Sequence, residues 1–481
     1  AAFEYVSGRL IRPRMPHPRL PLRSFQNSLC TPAPSARLNI NIINKTPLSM
    51  RFLSFLFLAC GIARLSAQSP TPAVAQTAPI LILGATAHLG NGSVIANSAI
   101  GFEGGKLSLV ADATTIRIDR SKYSKIFDAS GKHVYPGFIA ADSRLGLVEV
   151  DAIRATQDFG EIGALNPNAR AIVAYNTDSE VTPTVRSNGV LLAQITPEGG
   201  TVSGSSSVVQ LDAWNWEDAA LRLDEGLHLN WPAQRSFGGF DTGNPGMRKN
   251  EQYDKEVTNL RQLFSEAQAY AGQPAPEVKN PRLEAMRGLF DKKQTLYLHT
   301  DNARSIQEGV LFAEAYGLKP VLVGGSDAWL VADFLKERGV AVILSRTQRL
   351  PSRDDEDVDQ PFKTAALLQQ KGVLFAFSME GAWQQRNLAF QAGQSVGFGL
   401  DKEAAVSALT LNTARILGID QRCGSLEQGK DATLFISEGD ALDMRTCQVS
   451  AAFIQGREIN LDNKQKRLAR KFEEKYRQGK Q

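Results

Sequence analysis

The chain of 481 residues is long enough for one large or two ordinary domains, and its 43% hydrophobic and 22% charged residues are those of a globular protein. Its net charge of +4 is carried at the front: residues 1–67 hold nine basic residues and one acid, leaving 45 basic against 49 acidic residues behind them. A remainder with a net charge of −4 argues against a nucleic-acid partner.

Residues 1–49 are rich in Pro and Arg without periodicity and read as an upstream extension; a disordered basic arm or transit peptide is the alternative. Met50-Arg51 then opens an apolar run to Ala63, followed by Leu65-Ser66-Ala67. This reads as a secretory signal (residues 50–67) cleaved before Gln68, because a spanning helix needs about 20 apolar residues. A secreted or periplasmic protein is expected, with lipoprotein anchoring through Cys60 as a minor alternative. Cys423 and Cys447 remain after cleavage, and an oxidising compartment leaves their pairing open.

A polar linker, 68–78, leads to short β-rich runs at Pro79–Leu83, Ala99–Glu103, Leu107–Val110 and Ile126–Ala129. Gly104-Gly105 and Ser130-Gly131 separate them, as in a small β-sandwich. From Val190 the pattern changes to strands alternating with helices, the mark of a parallel α/β fold. Strands are expected at Val190–Ile195, Thr295–His299, Pro320–Gly325, Val340–Leu344 and Val373–Phe377. Helices are expected at Glu251–Tyr270, at Ser305–Tyr316 with Ile306, Val310 and Ala313 on one face, at Trp329–Arg338, Phe362–Lys371 and Lys402–Leu417. Ser236–Lys279 reads as an insertion or a long loop with one helix. Gly199–Ser207 lacks the P-loop lysine and reads as a tight turn. Trp214 and Trp216 read as covering a core edge, with lining of the barrel mouth as the alternative, and His228 between two leucines reads as structural. Two more turn-and-strand units follow, Gly424–Ile436 and Val449–Ile459. The charged stretch 463–481 reads as a solvated helix.

The chain is organised around Lys132–Val150. Pro136-Gly137 turns into an apolar strand, Phe138–Ala141, and Asp142 and Arg144 follow at a spacing that puts both on one strand face. Such charges are costly on an apolar strand unless they find partners or face a site.

This frame, with the tail GSLEQGKDATLFI at 424–436, resembles the amidohydrolase superfamily and its imidazolonepropionase-like branch, whose first barrel strand reads PGFID-x-H-x-H. Asp142 and Arg144 stand where that family has histidines, and Thr433 where its tail has Asp. The resemblance implies a (β/α)8 TIM-like barrel over 136–424 with a discontinuous small β-sandwich from 79–135 and 425–462. Roughly 290 residues suit a barrel of about 250 with insertions. It also implies a site at the C-terminal ends of the strands, at Asp142 and Arg144, His299 and Asp301, Ser326, and Ser378 and Glu380.

His299 matches a family histidine, Gly324 or Gly325 replaces another, and Glu380 is the nearest match to a family aspartate. Asp142, His299 and Glu380 are thus the candidate catalytic residues and offer three ligands to one divalent ion, for which zinc is suited. Arg144, Asp301, Ser326 and Ser378 are candidate binding residues. A fixed Arg144 cation repels an ion by about 4 kcal/mol at ~4 Å and an effective dielectric of ~20. Between two carboxylates it is favourable, so Arg144 is expected as the countercharge of Asp142 and Glu380; the alternative is that Asp142 and Arg144 are solvated loop residues.

The implied activity is hydrolysis of a non-peptide carbon–nitrogen bond in a small molecule by metal-activated water. The alternative is a metal-free pseudoenzyme that binds a ligand or partner through the same pocket. A small-molecule substrate or ligand is expected, with no membrane span after signal cleavage and homo-oligomerisation open.

Overall fold

The computed structural model describes residues 71–238, 246–274, 278–351, 353 and 355–478. The extension, the signal segment and Cys60 lie outside them.

Turn-punctuated β-rich sequence builds the first sheet. Its strands are β1 (Ile80–His88), β2 (Val94–Glu103), β3 (Lys106–Asp112), β4 (Lys125–Asp128) and β5 (His133–Pro136). Joining them from the far end of the chain are β16 (Leu434–Ser437), β17 (Val449–Ile454) and β18 (Arg457–Glu458). The order is β18-β17-β16-β5-β1-β2-β3, with β4 on β1. Antiparallel pairing of β5 with β16 sets Tyr135 opposite Phe435, and their rings stack at 5.4 Å. The sheet curls so that the start of β3 bonds to the segment leading into β16: Leu107 N–H donates to Lys430 O at 2.9 Å and Ala432 N–H to Gly105 O at 2.8 Å. Ile82, Ile100, Phe102, Leu434 and Phe453 fill the space it encloses.

The second sheet is a barrel. It contains β6 (Phe138–Ser143), β7 (Val190–Ile195), β8 (Val202–Gln210), β9 (Ala220–Asn230), β12 (Thr295–Thr300), β13 (Pro320–Gly324), β14 (Ala341–Leu344) and β15 (Phe375–Phe377), neighbours in that order. A parallel bridge between Ala141 and Ser378 joins its two edges. Seven strands run parallel and β8 runs against them. The cause is chain length: six residues separate β7 from β8, whereas a parallel return needs a crossover of a dozen or more. Gly199 and Gly200, both at positive φ, make that turn, and most of the Ser-rich run read as a turn is the buried strand β8. The β10 (Arg235–Gly238) and β11 (Gly246–Lys249) hairpin lies within the expected insertion.

Helices cover the barrel where the apolar period is 3.6. They are α1 (Thr182–Arg186), α2 (Tyr253–Ala271), α3 (Pro281–Phe290), α4 (Ala303–Ala315), α5 (Ala332–Arg338), α6 (Gln360–Lys371), α7 (Leu388–Gly397), α8 (Lys402–Leu409) and α9 (Leu411–Ile416). Helix α4 buries Ile306, Val310 and Ala313, as their spacing requires. The helix expected over 402–417 breaks at Thr410, whose backbone is not helical. Trp216 packs on the core, but Trp214 is 67% exposed, contrary to the core-edge position expected for it. Cys423 and Cys447 are free thiols, and burial pushes their pKa values up to about 12 and about 11. Among the described residues, no helix is long and apolar enough to cross a membrane.

Ile139, Ala141, Leu192, Val208, Tyr297, Val321, Val323, Ile343 and Ala376 form one apolar cluster from the barrel strands. Gln194, Ser206, Glu225, His228 and His299 come from those same strands or from β9 and make a polar group beside it.

Candidate metal centre

Two histidines meet on adjacent parallel strands. Tyr297 and His299 share a face of β12, and the β9 register sets His228 opposite Tyr297. The His228 ring stacks on Tyr297 at 4.7 Å, and its Nδ1 lies 2.7 Å from His299 Nε2. His228 is fully buried. Burial, with His299 beside it, holds its pKa well below the usual imidazole value, so the ring stays neutral and keeps a lone pair to offer. Its Nε2 is buried without a hydrogen-bond partner among the described residues.

Asp142 supplies the third group. Its backbone is left-handed, φ +48°, a conformation aspartate tolerates better than most residues. One potential ligand atom from each of Asp142, His228 and His299 lies within 4.8 Å of the others, and no other such group occurs among the described residues. Zinc bonds of about 2.0–2.2 Å put neighbouring ligand atoms roughly 3.3 Å apart in a tetrahedron. Separations from 2.7 Å up to 4.8 Å bracket that value, so two imidazoles and a carboxylate fit one divalent ion with small side-chain shifts.

A buried carboxylate steadies these groups. Glu225 accepts hydrogen bonds from Ser206 Oγ at 2.6 Å, Gln194 Nε2 at 2.7 Å and Tyr297 OH at 2.8 Å. Burial pushes its carboxyl pKa up, while these donors pull it down. Gln194 uses its other end, Oε1, to accept the Asp142 N–H at 2.9 Å. Glu225 therefore reaches Asp142 through Gln194 and His228 through Tyr297. Gly226 leaves space for this arrangement, since a Cβ there would collide with the Tyr297 ring.

The model of the amidohydrolase family matches residues 279–459, from helix α3 through the barrel's second half into the curled sheet. An amidohydrolase from Thermotoga maritima MSB8 superposes with a TM-score of 0.68 at 23% identity, covering 79% of this chain and 99% of that one. A Xaa-Pro dipeptidase with methionine in its active site gives 0.52 at 14% identity, over 80% and 100% of the two chains. A prolidase complexed with N-methylphosphonate-L-proline gives 0.50 at 14% identity, over 79% and 99%. No curated protein matches the sequence. The sequence of residues 279–459 is thus similar to the amidohydrolase family, and the fold as a whole is that of the Thermotoga maritima amidohydrolase.

The three groups that come together are not the three expected from the superfamily pattern: Glu380 is exposed in the turn after β15 and lies outside the group, and His228, expected as a structural residue, stands beside Asp142 and His299. Ser378 is buried in the barrel closure, where its hydroxyl donates to Leu344 O at 3.0 Å, so it is not offered to a ligand.

Arg144 is not the countercharge of Asp142 and Glu380. Its guanidinium pairs with Glu198 from the β7–β8 turn and lies over the Phe159 ring at 5.5 Å, and no ion pair joins it to either carboxylate among the described residues. The left-handed turn at Asp142 ends the straight-strand alternation on which the shared face depended.

Asp301 and Ser326 do meet: Ser326 N–H and Oγ donate to Asp301 Oδ1 at 3.0 and 2.7 Å. Asp301 also lines a cleft of about 370 Å³ with Trp231, Gln234, Thr300, Asn302 and Ser305. Thr300 and Asp301 of this cleft directly follow His299 in the chain, and the Trp231 backbone N–H donates to His299 O at 3.0 Å.

The signal for His228 was present in the sequence. In Leu227-His228-Leu229 the leucines alternate with the histidine, so in a barrel strand buried on both faces they point away from it.

Proposed function

We propose that this protein is a hydrolase of the amidohydrolase type that cleaves a non-peptide carbon–nitrogen bond in a small molecule, with one divalent ion, zinc by ligand chemistry, held by Asp142, His228 and His299. The observation that carries the reading is the convergence of those three groups within 4.8 Å at the barrel mouth. A bound zinc ion would polarise the substrate carbonyl and lower the pKa of a water.

The chain's own residues supply the rest. His228 enters as a neutral ring, with no proton to lose on binding a cation. With one Asp142 oxygen on the ion, the other would orient a water and accept its proton. Gln194 and Glu225 keep the Asp142 backbone in its turned conformation. The adjoining cleft offers Gln234, Asn302 and the Asp301–Ser326 pair as donors and acceptors to a polar amide. Secretion belongs to the proposal and is supported by the Met50–Ala67 sequence.

A second reading has its own observation. The direct His228–His299 contact at 2.7 Å is a satisfactory hydrogen bond between neutral rings, and a metal-free site binding a ligand is compatible with it.

Elemental analysis of purified, dialysed protein separates the two. The hydrolase reading expects about one zinc per chain in the wild type and its loss in both His228→Ala and His299→Ala. Protein without metal that is thermally stabilised by small amides would establish the second reading instead.

A further inference from the structure

The final helix, α10 (Lys464–Gln478), is attached only at its start. Thr184 Oγ1 donates to Gln465 Oε1 at 2.7 Å, Asn463 Nδ2 to Ser187 Oγ at 2.9 Å, and Arg467 pairs with Glu180 at 3.1 Å. Beyond that first turn every residue from Leu468 to Gln478 is exposed.

Leu468, Phe472 and Tyr476 recur at i, i+4 and i+8 and form one apolar stripe, 42%, 49% and 67% exposed. Seven lysines and arginines against two glutamates surround it. Several are neutralised: Arg467 by Glu180, Arg470 by Asp462 and Arg477 by Glu473. Lys464, Lys471 and Lys475 have no acidic partner among the described residues. At 100° per residue these three fall in one row immediately beside the apolar stripe.

We propose that α10 is a docking element for the surface of an anionic phospholipid membrane. In this pose the stripe enters the headgroup boundary and the lysine row meets lipid phosphates. Charge selects the occupant. A second copy would bring an equally basic helix against this one, and a neutral surface would leave the lysine row without counterions. Size points the same way: a 15-residue helix is about 22 Å long and about 10 Å wide. Its face of roughly 200 Å² falls well short of the ~800 Å² per partner of a standard protein interface. A membrane makes no such demand, since a few inserted side chains and a basic row together suffice for reversible binding.

The test is co-sedimentation of the full folded chain with phosphatidylglycerol-containing vesicles and with pure phosphatidylcholine vesicles. Binding is expected to the first only, to weaken as salt is raised, and to fall at least about tenfold in Lys464→Glu/Lys471→Glu/Lys475→Glu and in Phe472→Ser. These positions are exposed, so the variants should fold, as thermal melting will show. Equal binding to both vesicles, no binding to either, or charge-reversed protein that still sediments overturns the proposal. So does a doubling of mass in light scattering that Phe472→Ser abolishes, which would assign the stripe to a second copy.

Discussion

Complete burial of His228, with a His299 nitrogen 2.7 Å from its own, makes charging the His228 ring costly. What fixes the pair is the group behind it. Tyr297 lies flat on His228, and its phenol is bound to Glu225, which through Gln194 also holds the Asp142 backbone. Partners one bond removed from a ligand typically change metal affinity by about 10–100-fold when lost. Tyr297→Phe and Glu225→Gln should therefore weaken zinc binding by that order while leaving the circular dichroism spectrum unchanged. Calorimetric titration of each variant checks this; wild-type affinity in both would mean that Glu225 serves the fold alone.

Among the elements, β5 is the hinge between the two sheets, because it pairs with β1 and β16 and runs through Gly137 into β6. His133 at its start lies against His88, with Nδ1 3.0 Å from His88 Nε2, and His88 reaches Glu403 of α8 at 2.7 Å. Burial first, then His88 and Lys402, lower the His133 pKa, against the opposing pull of Asp440 and Glu403. The folded state thus releases this proton at a lower pH than the unfolded chain. Between those two values the unfolded state binds more protons, so stability falls as pH drops below about 6.5. Melting temperatures between pH 7.5 and 5 should show this slope, and His133→Gln should flatten it; an unchanged slope would assign the effect elsewhere.

The same elements show what a sequence can and cannot reveal. Strands β7, β12, β13 and β14 were legible because strands buried on both faces are continuous apolar runs. Strand β8 was not, since VSGSSSVVQ has the composition of a turn and becomes a strand only because the barrel buries all of it. The site divides likewise. Asp142 and His299 follow apolar strands and are conspicuous. His228 joins them through β9–β12 pairing across a long intervening segment that includes α2 and α3, a neighbourhood no local pattern contains.

For the whole molecule, one buried carboxylate ties the barrel to the curled sheet. Asp212, just after β8, accepts from Arg186 of α1, from Arg457 of β18 at 2.9 Å and from the Ala73 N–H at 2.9 Å. Burial lowers the Arg186 pKa and Asp212 opposes that shift, so removing the carboxylate strands a buried cation. Breaking such a buried pair costs about 3–5 kcal/mol. Asp212→Ala should lower stability by that order in urea unfolding, whereas a loss below about 1 kcal/mol would mean that water replaces the carboxylate.

The location of the ion bears most directly on how this barrel works. Crystals grown with zinc and measured at the zinc absorption edge should give a single anomalous peak bounded by Asp142, His228 and His299, and no such peak for His228→Ala. A peak at Glu380, two peaks in the barrel, or an empty mouth beside a direct His228–His299 hydrogen bond would contradict a single-ion centre built on those three residues.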